Sequence, residues 1–433
     1  LHSAFSHAGQ KCSATSLLLL DEEVFESSEF KEQFIDAVQS LRVGSAWDLS
    51  TKIGPLIRPP SGELLRGLKE LEHGETWALM PTQIGDNPCL YSPAIKWNVT
   101  ENSFTHLTEL FGPVLGVMKY RRLLEAIQIV HATGYGLTSG LESLDDREQK
   151  QWRESIQAGN LYINRPTTGA IVLRQPFGGM GKSAFGPGAK AGGPNYVAKL
   201  MDFQDDSLPC QDVANRKLHV PELIRFAERL ERSSRILLDL PGTDPLDLQR
   251  LRFAIQSYDV FATDEIRKEH DHFLLIGQDN HRRYLPASPL RVRIQQSDTV
   301  LSIVARVLAA VGVGCRCVVS YPDGVHEATM DALEQLTLDW AGKIEFLPES
   351  EEELIDAIDR GFVQRIRYSS TKEVSLSVRR AANNRQVYVA DQNVSLHGCI
   401  ELLLYISEQS ISSDYHRYGN LGPRSQEPRS EVL

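Results

Sequence analysis

The chain is poor in cysteine, with six in 433 residues. That density cannot staple a domain, so a disulfide scaffold is excluded and the thiols are left to packing or chemistry. Cys12, Cys89, Cys210 and Cys399 stand alone. Cys315 and Cys317 are close, but C-x-C is not zinc-finger spacing, and no metal site is expected. Long apolar runs are missing as well. Segments such as residues 17–20 fall far short of the roughly 20 residues that cross a bilayer, so no transmembrane segment is expected. Nor is there a basic surplus: the net charge is −11, divided as −4 over residues 1–205 and −7 over 206–433. Without a positive footprint, nucleic-acid binding is not expected. The opening residues show no charged segment followed by an apolar one, so no signal peptide is expected there.

What is present is a globular composition, 41% apolar and 24% charged, at a length that suits two or three domains. Residues 15–20 read as a strand or buried element. Val24, Phe25, Phe30, Phe34, Ile35, Val38 and Leu41 recur at helical spacing, which predicts one helix over 22–41. Strands are expected at 93–97, 114–120 and 160–163, and helices at 61–71, 123–131 and 145–158. A composition change follows Asp205. Helices are then expected at 220–230, 243–258 and 299–310, and strands at 290–294, 315–320 and 344–347. Both parts read as α/β. The domains are therefore set at 1–205 and 206–422, with a polar tail over 423–433 read as disordered. Residues 165–195 hold eight glycines and four prolines, for which a linker and a functional loop both fit.

Chemistry concentrates first at Phe5-Ser6-His7-Ala8-Gly9-Gln10-Lys11-Cys12-Ser13-Ala14. Glycine allows a close backbone turn, Lys11 adds positive charge, and small residues after Cys12 leave room for a substrate. A thiol so placed can act as a nucleophile. The segment Gly9–Ala14 resembles the nucleophile segment of the aldehyde dehydrogenase superfamily. Further resemblances follow in the family's order: Lys52-Ile53-Gly54-Pro55-Leu56-Ile57, Glu109-Leu110-Phe111-Gly112-Pro113-Val114, Tyr135-Gly136-Leu137-Thr138, Gly159-Asn160-Leu161-Tyr162-Ile163-Asn164 and Phe177-Gly178-Gly179.

Two segments narrow the resemblance. Residues 164–179, from Asn164-Arg165-Pro166-Thr167-Thr168-Gly169-Ala170 to Arg174-Gln175-Pro176-Phe177, resemble Δ1-pyrroline-5-carboxylate (L-glutamate γ-semialdehyde) dehydrogenases. Residues 186–196 resemble the version found in bifunctional proline utilization A proteins. The resemblance implies an aldehyde dehydrogenase catalytic domain with Cys12 as nucleophile. It implies that Ser13, Thr168, Gly169 and Ala170 hold the substrate's charged end, and that Phe177 packs on its aliphatic chain. It implies that Glu109 holds the nicotinamide ribose of NAD and that Phe111 packs beside it. Residues 278–294 resemble a C-terminal α/β domain that is like an aldehyde dehydrogenase dinucleotide-binding fold but is not expected to bind cofactor. Residues 398–422 resemble an interaction motif that contacts the dehydrogenase site and helps seal a substrate tunnel. Tyr196 to Gln204 are expected to contribute to a β-arm used in homo-oligomerisation. The implied localisation is cytoplasmic, with peripheral attachment at the inner membrane left open.

The sequence also departs from the family. No G-x-G-x-x-G occurs, and Val311-Gly312-Val313-Gly314 follows a helix and enters a strand, the reverse of the fingerprint's context. The upstream dinucleotide-binding half, its oxyanion Asn and general-base Glu, and the FAD-dependent proline dehydrogenase domain are all expected to lie outside this chain. The chain begins at Leu1 and is expected to be an inactive fragment. Three alternatives stay open: a Cys–His hydrolase using His2 or His7, a non-catalytic interaction or oligomerisation module, and another aldehyde dehydrogenase subfamily.

Overall fold

The computed structural model describes residues 1–184, 186–204, 216–416 and 421–427. Cys210, residues 417–420 of the C-terminal motif and residues 428–433 of the polar tail lie outside the described residues. The fold is mixed α/β, as the alternation predicts. Strands β1 (Leu17–Asp21), β2 (Thr76–Leu79), β3 (Ala94–Trp97) and β4 (Val114–Tyr120) form a sheet in the order β1-β4-β3-β2. The first three in that order are parallel and β2 is antiparallel. Phe5, Phe25, Val38, Ile53, Ile95, Trp97, Leu115 and Val117 pack together on it, so the nucleophile segment is rooted in this core from its first residues.

The single helix predicted over 22–41 is two, Glu22–Glu26 and Ser28–Gln39. Ser27 breaks it because its extended backbone lets the side chain accept the Phe30 N–H at 3.2 Å and cap the second helix. Short strands β5 (Tyr135–Gly136), β6 (Thr138–Leu141), β7 (Asn160–Ile163) and β8 (Met180–Gly181) follow. Val197–Leu200, in the expected β-arm, forms a 3₁₀ turn whose Val197 and Leu200 side chains are exposed.

Beyond residue 216, β9 (Gln278–Pro286) precedes a five-stranded parallel sheet. Its strands are β10 (Leu290–Arg293), β11 (Cys317–Tyr321), β12 (Ile344–Pro348), β13 (Arg365–Arg367) and β14 (Tyr388–Ala390), in the order β12-β11-β10-β13-β14. This is a doubly wound sheet, with its switch point between β10 and β13. The helix Val300–Gly312, expected over 299–310, is buried at eleven of thirteen positions, because layers cover it on every side. The helix Leu376–Arg385 was not visible in the hydropathy. Its sequence is rich in Arg and Asn, and Ser375 starts it by accepting the Val378 N–H at 3.1 Å.

The last strand, β15 (Ile406–Asp414), does not join that sheet. It lies between β7, in parallel register, and β9, in antiparallel register, giving the order β6-β7-β15-β9. One sheet thus takes two strands from each side of residues 205–215. Gly422–Gln426 closes the described chain as a 3₁₀ turn, with Arg424 in a two-pronged ion pair to Asp279 at 2.8 and 2.9 Å.

Candidate active site

Cys12 sits on an exposed turn, tied by the Ala14 N–H to the Lys11 carbonyl at 3.0 Å. The approach is a 3₁₀ turn, Ser6–Gly9, in which His7, Ala8 and Gly9 all have positive φ. Gly9 has a steric reason to be glycine: a Cβ there would lie 2.1 Å from the Gly112 carbonyl oxygen. The nucleophile turn therefore presses directly on the Phe111-Gly112-Pro113 segment. Gln10 fastens that contact. Its Nε2 donates to the Phe111 carbonyl at 3.2 Å, and its Oε1 accepts the Ile57 N–H at 3.0 Å. Three segments matched in the sequence thus converge on one amide.

A fourth is joined by Thr167. Its Oγ1 lies 3.0 Å from Thr15 Oγ1 and 3.3 Å from the Ser13 carbonyl, and its N–H donates to Ser3 Oγ at 3.1 Å. Ser13 and Thr168 are buried beside Cys12 and Thr167 respectively. Gly169, with φ +86°, turns the chain outward before Ala170. Two buried oxygens in this region, Thr168 Oγ1 and Tyr162 Oη, have no hydrogen-bond partner among the described residues. Burial pushes the Tyr162 phenol up to about 12, with Arg165 opposing and Cys12 adding, which also marks Cys12 as its electrostatic neighbour. The Cys12 backbone N–H makes no hydrogen bond among the described residues and is free to donate.

Phe177 is half-buried, and its N–H and carbonyl both pair with Ala191 at 2.9 Å, which folds residues 165–195 back on themselves. This stretch is a braced loop. Strand β15 and its neighbours hold it: Ser410 Oγ donates to the Pro176 carbonyl at 2.6 Å, Arg365 donates to the Pro187 carbonyl at 3.0 Å, and Asn195 donates to Glu408 at 3.1 Å. Glu109 is exposed, and Phe111, with φ +51° and its carbonyl held by Gln10, is 45% exposed. His2 bonds Ser6 at 2.9 Å, and no hydrogen bond joins His2 or His7 to Cys12 among the described residues. The structure therefore brings Cys12, Ser13, Thr168 and Phe111 into one neighbourhood. Gln10 and Thr167, which fasten it, lie inside the matched motifs, but a motif does not show which members brace the others.

The carboxyl ends of β10 and β13, where a doubly wound sheet takes a dinucleotide, are filled by side chains. Arg306 donates to the Arg293 carbonyl at 2.7 Å and pairs with Asp298 at 2.8 Å, and Arg367 at the end of β13 pairs with Glu401 at 2.9 Å. The turn after β10 is Gln295-Gln296-Ser297-Asp298, closed by the Gln295 N–H on Asp298 at 2.8 Å and without a glycine. A hollow of about 320 Å³ opens at the opposite, amino ends of β10, β11 and β12, beside Ser288, Arg316 and Lys343. Asp271, Asp279 and His281 also gather near one another, but Asp279 is taken by Arg424, and Asp271 by the Phe273, Leu274 and Asn280 N–H groups.

A family model described as "Aldehyde dehydrogenase family" matches residues 1–205. Residues 1–205 belong to the aldehyde dehydrogenase family. Among curated relatives, 1-pyrroline-5-carboxylate dehydrogenase of Bacillus subtilis is 37% identical over 210 residues, 48% of this chain and 40% of that one. The bifunctional protein PutA of Klebsiella aerogenes is 30% identical over 354 residues, 80% of this chain and 26% of that one. Among solved structures, proline utilization A from Corynebacterium freiburgense superposes with a TM-score of 0.73 at 35% identity, covering 96% of this chain and 37% of that one. That likeness takes in the doubly wound unit as well as the dehydrogenase part. The chain spans well under half the length of each of these relatives. No helix of the described residues is long and apolar enough to cross a membrane.

Proposed function

We propose that this chain carries the nucleophile part of an NAD-dependent L-glutamate γ-semialdehyde (Δ1-pyrroline-5-carboxylate) dehydrogenase within a bifunctional proline-oxidising protein. The observation that carries the reading is the exposed Cys12 turn, clamped through Gln10 and Thr167 to the segments on either side and bordered by Thr168 Oγ1, which has no partner among the described residues. The Cys12 thiolate attacks the aldehyde carbon, forming a C–S bond as the carbonyl becomes an oxyanion. The Cys12 backbone N–H, free of other partners among the described residues, donates to that oxyanion. NAD, when bound, supplies the hydride acceptor. Water then cleaves the resulting thioester, returning the thiol and releasing the carboxylate of glutamate.

Thr168 Oγ1 and the Gly169 and Ala170 N–H groups hold the substrate's charged end, Ser13 supports it, and the Phe177 ring covers its methylenes. Glu109 and the Phe111 ring suit the nicotinamide ribose, both being exposed in the segment that the Cys12 turn presses on. On this reading the rest of the cofactor site, together with the FAD-dependent proline dehydrogenase part, belongs to residues other than these. The filled switch point between β10 and β13 supports this, and so does the share of each relative that the chain spans. On this reading the chain alone is inactive. The exposed Val197 and Leu200 support a homo-oligomer contact there, and the parent is read as cytoplasmic.

The test is kinetic. Cys12→Ala in the full-length parent is expected to abolish NAD-dependent oxidation of pyrroline-5-carboxylate, and retained activity would remove Cys12 from the chemistry. Titrating this chain with NAD⁺ and following its five tryptophans is expected to give no saturable quenching. Saturation would instead place a complete cofactor site within residues 1–433.

A further inference from the structure

Gln175, Asn280 and Ser412 are 2%, 4% and 1% exposed, and the proposed chemistry uses none of them. Gln175 Oε1 accepts the Ile171 N–H at 2.9 Å, while the Gln175 N–H reaches the Ile171 carbonyl at 2.8 Å, so one residue closes the turn 171–175. Its Nε2 then donates to Asn280 Oδ1 at 2.6 Å and lies 3.2 Å from Ser412 Oγ. Ser412 Oγ donates to Asn280 Oδ1 at 2.8 Å and accepts from Arg165 Nη1. Asn280 is itself fixed, through its N–H to Asp271 at 2.8 Å and its Nδ2 to Gln278 at 3.1 Å.

The consequence lies in the order of these residues. Arg165 and Gln175 flank Thr168-Gly169-Ala170, and both end on the same hydroxyl of β15. A buried oxygen that two side chains address cannot release one without leaving polar groups unpaired. The span of the loop between them is therefore set by strands from beyond residue 216.

We propose that Ser412 and Asn280 are positioning residues for the loop 166–174, fixing where Thr168 Oγ1 and the Gly169 and Ala170 N–H groups stand. The consequence for catalysis rests on the reading of 168–170 as the substrate anchor. The loop then tells aldehydes that carry a charged end from those that do not, and Ser412 and Asn280 maintain that discrimination without touching the substrate.

Hydrogen exchange on this chain tests the positioning without needing activity. Ser412→Ala and Asn280→Ala are each expected to speed exchange of the Ile171 and Gln175 amides by about tenfold, the loss of roughly one buried hydrogen bond. The β1–β4 sheet should be unchanged. The two variants alter different strands, so unfolding of one leaves the other to answer, with the β1–β4 sheet as the folding control. Unchanged exchange at 171 and 175 overturns the proposal. In the full-length enzyme, Ser412→Ala should raise KM for the semialdehyde by about tenfold with little change in kcat, and leave KM for an uncharged aliphatic aldehyde alone. Faster exchange with no KM change overturns the catalytic consequence. If Thr168→Ala is equally silent, the fault lies with the anchor reading; if Thr168→Ala raises KM, it lies with the role of Ser412.

Discussion

Thr167 Oγ1 stands 3.0 Å from Thr15 Oγ1, although 152 residues separate them. The same hydroxyl reaches the Ser13 carbonyl at 3.3 Å, so it braces the turn that carries Cys12 from outside. Thr167→Val keeps the shape and removes both contacts. The expected loss is about 1–2 kcal/mol in unfolding free energy by urea denaturation, the range for leaving a half-buried hydroxyl and a carbonyl unpaired. A midpoint indistinguishable from the parent would show that the two segments are held by packing alone.

Gly9 admits no side chain. A Cβ would stand 2.1 Å from the Gly112 carbonyl oxygen, and the obstacle is backbone, which cannot swing aside. With φ at +69° the position is also strained for any L-residue. Gly9→Ala should cost about 2 kcal/mol or more and push the Cys12 turn away from Phe111. Denaturation measures the first effect, and a changed rate of Cys12 alkylation the second. A variant as stable as the parent would mean that Gly112 is free to move.

Thiol reactivity should divide sharply within the chain. Cys12 is exposed, whereas Cys315 and Cys317 are buried. Burial pushes the Cys315 thiol up to about 12 and raises that of Cys317 further still. Iodoacetamide at neutral pH should therefore modify Cys12 at least about a hundredfold faster than either, since the buried pair must wait for local opening. Peptide mass spectrometry after a timed reaction reads the ratio. Comparable rates would mean that the second unit opens readily and is less well packed than its buried core implies.

Much of this arrangement was legible in the sequence, and the exceptions have physical causes. Strand β4 could be read because Val114 to Met118 are all buried and apolar, leaving no competing pattern. Strand β15 could not be read from hydropathy. Glu408, Gln409, Ser410 and Ser412 are buried polar residues, held there by loop carbonyls and side chains that lie far away in sequence. Its importance came through only as a resemblance. Cys12 was legible because the chemistry of a nucleophile turn restricts its neighbours. Gln10 was legible as a letter of the motif, but its task, joining Ile57 to Phe111, exists only once three segments have met.

Lys190 gives the junction between the two parts of the chain a signature in pH. It is fully buried, its Nζ donates to the Gly178 carbonyl, and burial lowers its pKa to about 7 despite the opposing charge of Glu408. Lys199 lowers it further. In the unfolded chain the same amine titrates near 10.4, roughly the free-lysine value. Between those two values the unfolded state holds a proton that the folded state has released, so this group makes folding more favourable as pH rises through the window. Glu408 works in the opposite sense at lower pH. Burial raises its pKa, so the folded state holds a proton there that the unfolded state has lost, and its contribution falls as pH climbs above the ordinary carboxylate range. Lys190→Met keeps the apolar stem and removes the amine. Urea midpoints of the parent, measured from pH 7 to 10, should show a rising component that the variant lacks. Parallel curves would mean that Lys190 stays charged in the fold, with its ammonium held by Glu408 across a junction polar enough to carry it.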